Sequence, residues 1–155
     1  MTVISQEAQQ AMIEKAVDNE GLRLLLQFGI VASMRGAMPM ANKLFAAARA
    51  IRANSPEIGY AQALALHNSG KTKEAMTELQ NVIGRFPHHM LAKAMLAALY
   101  MLCNDSRWLS IANEVEKNGK DEAAVQLVKS IRGTKSTENV AVDKPQTALI
   151  SHQLS

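Results

Sequence analysis

The sequence predicts an all-α chain built of repeated helix–turn–helix units, and three observations carry that expectation. Hydrophobic residues make up 48% of the 155 residues but aromatics only 4%, so Ala, Leu, Ile and Met must supply the burial. Runs that favour strands are nearly absent. A spaced motif also recurs. Gly36, Ala41, Phe45 and Ala48 are answered by Gly70, Ala75, Leu79 and Val82, each at one constant step (70 − 36 = 34, 75 − 41 = 34).

Residues 5–18 read as a polar, weakly amphipathic helix with Ala8, Met12, Ile13 and Ala16 on one side, interrupted at Gly21. Residues 22–35 form a strongly apolar helix closed by Gly36, which suits the left-handed position after a helix end. Pro39 falls in the first turn of the next helix, which runs to about Ala53. In "NSPE", Ser55 is the expected cap, Pro56 takes the first helical position and Glu57 complements the dipole of a helix ending at Gly70. Thr72 is the expected cap of a helix to about Arg85, broken by Phe86-Pro87. Helices over 88–103 and 107–118 follow, joined at Asn104-Asp105-Ser106, and Gly119 ends the second. Asp121 starts the last, which ends at Gly133. From Thr134 the chain is rich in Thr, Ser, Asn and Gln with no helical period, and reads as a flexible tail with one apolar patch, Ala148-Leu149-Ile150. The domain boundaries are therefore an N-terminal helix (1–20), a repeat domain (21–133) and the tail (134–155).

Helix pairs recurring with a period of about 34 residues are the tetratricopeptide (TPR) signature. Small residues stand where paired helices cross closely: Gly29, Ala41 and Ala48 in the first unit, Ala63 and Ala75 in the second. Phe45 and then Leu79 fill the hole between units, and Pro87 closes the second unit. The third unit, from Met90, keeps Ala97 and Tyr100 in register and loses the pattern after Asn104, leaving helix 121–132 as a cap. A non-repeat bundle with accidental self-similarity is the alternative.

In a TPR array the first helix of each unit lines a groove. The inward positions here are Arg23, Leu26, Ile30 and Ser33, then Glu57, Tyr60, Leu64 and His67, then Leu91, Ala94, Ala98 and Met101. Grooves that clamp a charged peptide end carry Lys, Arg and Asn there; this set is mostly aliphatic and suits an amphipathic helix. The candidate partner-binding residues are Leu26, Ile30, Met34, Tyr60, Leu64, His67, Leu91, Ala98 and Met101. The competing reading makes these residues the inner core of a closed array.

Other function classes find little support. The net charge of +3 is scattered among acids, without the basic, aromatic-interleaved stripe of a nucleic-acid surface. His88 and His89 are adjacent and lack the i, i+4 spacing of a metal pair, while His67 and His152 stand alone. Cys103, in an apolar helical context, reads as a buried small hydrophobe. No nucleophile–base set or phosphate loop occurs, so no catalytic residue, cofactor or metal is expected. The N-terminus lacks the pattern of a signal peptide, and no apolar run reaches membrane-spanning length. The expected location is the cytoplasm.

The stretches "LLQFGIVASMRGAMPMANKLFAAARAIRANSPE", "GKTKEAMTELQNVIGRFPHHMLAKAMLAALY" and "SRWLSIANEVEKNGKDEAAVQLVKSIRG" together resemble the small TPR proteins of bacterial type III secretion, from about Leu22 to Gly133. The sequence is similar to the hypersensitive-response (Hrp) family and, more distantly, to needle-subunit chaperones. That resemblance implies a non-enzymatic chaperone that binds an amphipathic helix of a needle or inner-rod subunit and prevents premature polymerisation, with a small helical co-chaperone or a homodimer as further options. It places the binding role on Leu26, Ile30, Tyr60, Leu64 and Met101. The alternatives are a self-associating assembly component of the secretion apparatus and a generic TPR adaptor, and the location the resemblance implies is the bacterial cytoplasm, with a periplasmic or apparatus-associated location as the minority alternative.

Overall fold

Helices occupy the segments between the Gly, Pro and Asn punctuation. The computed structural model describes residues 5–9, 11 and 19–141, with side chains through residue 134. Its helices are α1 (Asn19–Met34), α2 (Met38–Ile51), α3 (Pro56–Asn68), α4 (Thr72–Arg85), α5 (Met90–Leu102), α6 (Arg107–Asn118) and α7 (Glu122–Ala141). Residues 6–9 and 11 are also helical, and the rest of the helix expected over 5–18 lies outside the described residues. No strand occurs among the described residues, so the all-α expectation holds.

The turns show how regular the units are. Gly36 and Ala37 donate to the carbonyls of Ser33 and Ala32; Gly70 and Lys71 donate to His67 and Leu66; Asn104 and Asp105 donate to Met101 and Tyr100. This is one Schellman closure used three times, one period apart. Its left-handed residue is Gly36 (φ +77°), Gly70 (φ +79°) and then Asn104 (φ 55°). Asparagine tolerates that conformation better than other side-chain-bearing residues, so the period runs on through Asn104 with no glycine to mark it.

Beyond Asn104 the third unit is one residue shorter. Ala41 and Ala75 donate to carbonyls four residues back, Ala37 and Lys71, whereas Trp108 donates three back, to Asp105. The tighter first turn takes up the missing residue. Buried Trp108, Ala112 and Val115 therefore follow Ala75, Leu79 and Val82 by a step one short of the period (108 − 75 = 33). The sizes are exchanged: a small residue then a large one becomes Trp then Ala. The pattern is continued with the volumes reversed, which hid it from a search for small residues.

Helices pair as α1–α2, α3–α4 and α5–α6, and each pair stacks on the next. One core cluster joins the first unit to α3 through Leu22, Leu26, Ala41, Phe45, Ala48, Ile58, Ala61 and Ala65. The second joins α3 to the remaining helices, with Ala63, Leu79, Leu96, Leu99, Trp108, Val115 and Val128 at its centre. Alanines on opposite sides of α3 thus serve both clusters. α5 is buried from Ala92 to Tyr100, which matches its nearly unbroken apolar sequence. Lys93, 8% exposed, reaches out to an ion pair with Glu114. α7 covers α5 and α6, as expected of a cap.

Several expectations are corrected. Gly21 does not interrupt a helix; it lies inside α1. Gly133 does not end α7, which continues to Ala141, so the first part of the expected tail is helical. Gly133 lacks the positive φ of Gly36, Gly70 and Gly119. Without that turn, a glycine costs a helix only about 1 kcal/mol and does not stop it. Ser55 flanks α3, but its hydroxyl donates to the Glu57 carboxylate rather than accepting a backbone N–H. Thr72 is the first residue of α4, and its hydroxyl meets His67 Nδ1 at 3.2 Å. Cys103 is exposed, because it falls in the turn after α5 instead of on the buried face. Asp121, expected to start the last helix, directly precedes α7 and caps it: its Oδ1 accepts from Ala124 N–H at 3.1 Å.

Candidate functional site

The first helices of the units, α1, α3 and α5, carry the candidate groove residues, which fall into three groups by exposure. Leu26 and Ala98 are buried, at 8% and 9%, and contribute shape to the wall rather than free surface. Ile30, Tyr60, Leu64, His67, Leu91 and Met101 are half-buried. Met34 is 67% exposed at the end of α1. Of the remaining inward positions, Ser33 and Ala94 are buried, and Arg23 and Glu57 are exposed. Tyr60, Leu64, Leu91 and Met101 all pack against the second core cluster, and Ile30 against the first. The candidate face is therefore made of Tyr60, Leu64, Leu91 and Met101 on α3 and α5, seated on the second cluster, and Ile30 on α1, seated on the first. Leu26 and Ala98 are corrected from lining to core.

His89 belongs beside this face and was missed as a positioning residue. It precedes α5, where its Nδ1 accepts the Ala92 N–H at 3.1 Å, and its ring lies 6.2 Å from that of Tyr60. The signal was available: a polar residue directly before an apolar helix is a cap position, and a neutral imidazole nitrogen can accept as Ser or Asp does. Tyr60 itself has its pKa raised, first by burial and then by the carboxylate of Asp121. Its phenol stays neutral and able to donate. His67 is tied to Thr72 across the α3–α4 turn.

The surroundings are held by pairs of charged and aromatic groups. The Arg107 guanidinium lies 4.3 Å from the Tyr100 ring centre and bonds to Asp105, which lowers the Asp105 pKa and raises that of Arg107. Tyr100 Oη accepts from Gln80 Nε2 at 2.7 Å. Arg132 spans α6 and α7, over Trp108 and onto Glu116 at 3.1 Å. These contacts tie α4 and α6 to α5, and α7 to α6. Among the described residues no cluster of three metal-ligating side chains occurs. No helix among them is long and apolar enough to cross a membrane.

A small cavity of about 40 Å³ lies between α2, α3 and α4, lined by Arg49, Ser55, Gly59, Glu78 and Arg85 among others. It holds little more than a water. It shares no residue with the aliphatic face, and Arg49 there is already paired with Glu78 at 3.0 Å.

Comparison with known proteins adds one finding. A model of the family described as Bacterial type III secretion protein (HrpB1_HrpK) matches residues 12–137, most of the 155-residue chain. No curated protein and no solved structure matches.

Proposed function

This chain belongs to the bacterial type III secretion family HrpB1_HrpK, and on that premise we propose that it acts as a non-enzymatic chaperone for an amphipathic helix of a needle or inner-rod subunit. The observation that carries the reading is the half-buried, mostly aliphatic set Ile30, Tyr60, Leu64, Leu91 and Met101 on the first helices of the units. Such a face has too few polar groups to recognise a charged peptide end and enough partly exposed apolar surface to gain from covering. Each aliphatic side chain brought from half-exposed to buried contributes on the order of 1 kcal/mol. A helix with apolar residues at i, i+3, i+4 and i+7 is the complementary shape.

A subunit that polymerises through the same apolar helix would be kept soluble while that helix lies in the groove. The chaperone needs no cofactor for this, and works in the cytoplasm before the subunit is exported. Co-expression with a type III secretion needle or inner-rod subunit tests the reading. A soluble complex is expected with the unaltered chain, and Leu64→Asp with Ile30→Asp should abolish it. A complex that survives both substitutions removes the groove from the account.

A further inference from the structure

α1 carries an apolar stripe on its open side. Leu24, Phe28 and Val31, spaced four and three residues apart, are 42%, 61% and 45% exposed. One and two repeat periods on, Leu24 corresponds to Ile58 and Ala92, Phe28 to Gln62 and Leu96, and Val31 to Ala65 and Leu99. Five of those six counterparts are at most 4% exposed. In the later units this surface is therefore buried against neighbouring helices, and on α1 it is not. No charge interrupts it: the exposed positions between Arg23 and Arg35 are Leu24, Gln27, Phe28, Val31 and Met34.

We propose that a second copy of this chain covers the stripe, with α1 lying antiparallel on α1 of its partner about a two-fold axis. Self-complementarity is what selects that occupant. With the axis between Gln27 and Phe28, Leu24 falls opposite the partner's Val31, and the two Phe28 rings flank the centre. Glu20 and Arg35 lie equally far from the same axis, so each end of the pair sets a carboxylate against a guanidinium. A parallel pairing would set like charges together instead. Both residues are exposed, and Arg35 continues the helical turn, its N–H donating to Val31 at 3.2 Å. Glu20 already holds Arg23, and a carboxylate can accept from two guanidinium groups. Head-to-tail stacking fits less well, because the exposed side of α7 at the far end of the array shows Glu122, Gln126 and Lys129. The paired surface is one helix wide, at the small end of the interface range, so the dimer is reversible. Ile30 lies about 100° round the helix from Val31, so the dimer and the candidate groove use different sides of α1.

Sedimentation equilibrium of the full chain tests this. The unaltered protein should pass from monomer to dimer across the micromolar to millimolar range, and Phe28→Asp should weaken the dimer by at least about tenfold. Leu109→Asp, at an exposed residue of α6, should dimerise as the parent does. Charge reversal reads the pairing without touching the apolar contacts. Glu20→Arg and Arg35→Glu should each weaken dimerisation about threefold or more at low salt, and the double variant should return towards the parent value. A chain that stays monomeric at every concentration would mean that its own N-terminal segment or another protein takes the stripe, and would overturn the proposal. A dimer indifferent to Phe28→Asp would overturn it too, as would single reversals that the double variant does not rescue.

Discussion

A Cβ built on Gly29 would lie 2.6 Å from Cε1 of Phe45, so α1 and α2 pass at a distance that only glycine permits. Phe45 is 1% exposed and its ring has nowhere to move. Gly29→Ala should therefore destabilise the protein by about 1–3 kcal/mol of overpacking, despite gaining up to about 1 kcal/mol in helix propensity. Combining it with Phe45→Leu should cost less than the two single changes added together. Urea unfolding of the four proteins measures the coupling, and strict additivity would mean that the two residues do not meet.

The exchanged sizes in the third unit make a second prediction. Trp108→Ala alone should cost about 3–5 kcal/mol. Adding Ala112→Leu to it restores the small-then-large order of Ala75 and Leu79 and should recover part of that loss. Ala112→Leu by itself should destabilise, because Trp108 already fills the space. Thermal unfolding followed by circular dichroism reads all three.

Asn104 holds φ 55° in the turn where the earlier units have glycine. Asn104→Gly should leave stability unchanged or raise it slightly, and Asn104→Ala should lower it by about 1 kcal/mol. If both variants match the parent, the residue does not adopt the left-handed conformation in solution.

The Tyr60 phenol, with its pKa raised by burial and by Asp121, predicts a loss of stability in alkali. The folded protein prefers the neutral phenol. Its contribution is therefore fully present below the unfolded value near 10 and is lost as the pH rises through the higher folded value. Tyr60→Phe should flatten that decline. Denaturant midpoints between about pH 9 and 11 decide it, and parallel declines in the two proteins would contradict the burial of the ring.

How far the fold could be read in advance depended on whether a residue's identity matched its task. Gly36, Gly70 and Gly119 stop helices through a positive φ, and Ala41 and Phe45 pack as their sizes suggest, so the first two units were legible. Asn104 performs a glycine's task and Trp108 occupies an alanine's place, so both helices of the third unit were read as helices, but the repeat pattern was lost after Asn104. Gly133 carries the stop residue without the stop conformation, and α7 runs past it. At the aliphatic face, periodicity selected the side of each helix but not its depth. Leu26 and Ala98 lie on the chosen side and are nevertheless buried, because how closely neighbouring helices approach is set by residues far away in sequence.

The most direct test of the central claim is the affinity of the full chain for the amphipathic helix of the needle or inner-rod subunit, measured by calorimetry for the parent, Leu64→Asp and Leu109→Asp. Leu109 is 44% exposed on α6 and lies outside the aliphatic face, so its variant is the control. The account predicts binding with a negative heat-capacity change, weakened by Leu64→Asp by about tenfold or more and left intact by Leu109→Asp. Equal affinity for all three proteins, each shown to be folded, would contradict it.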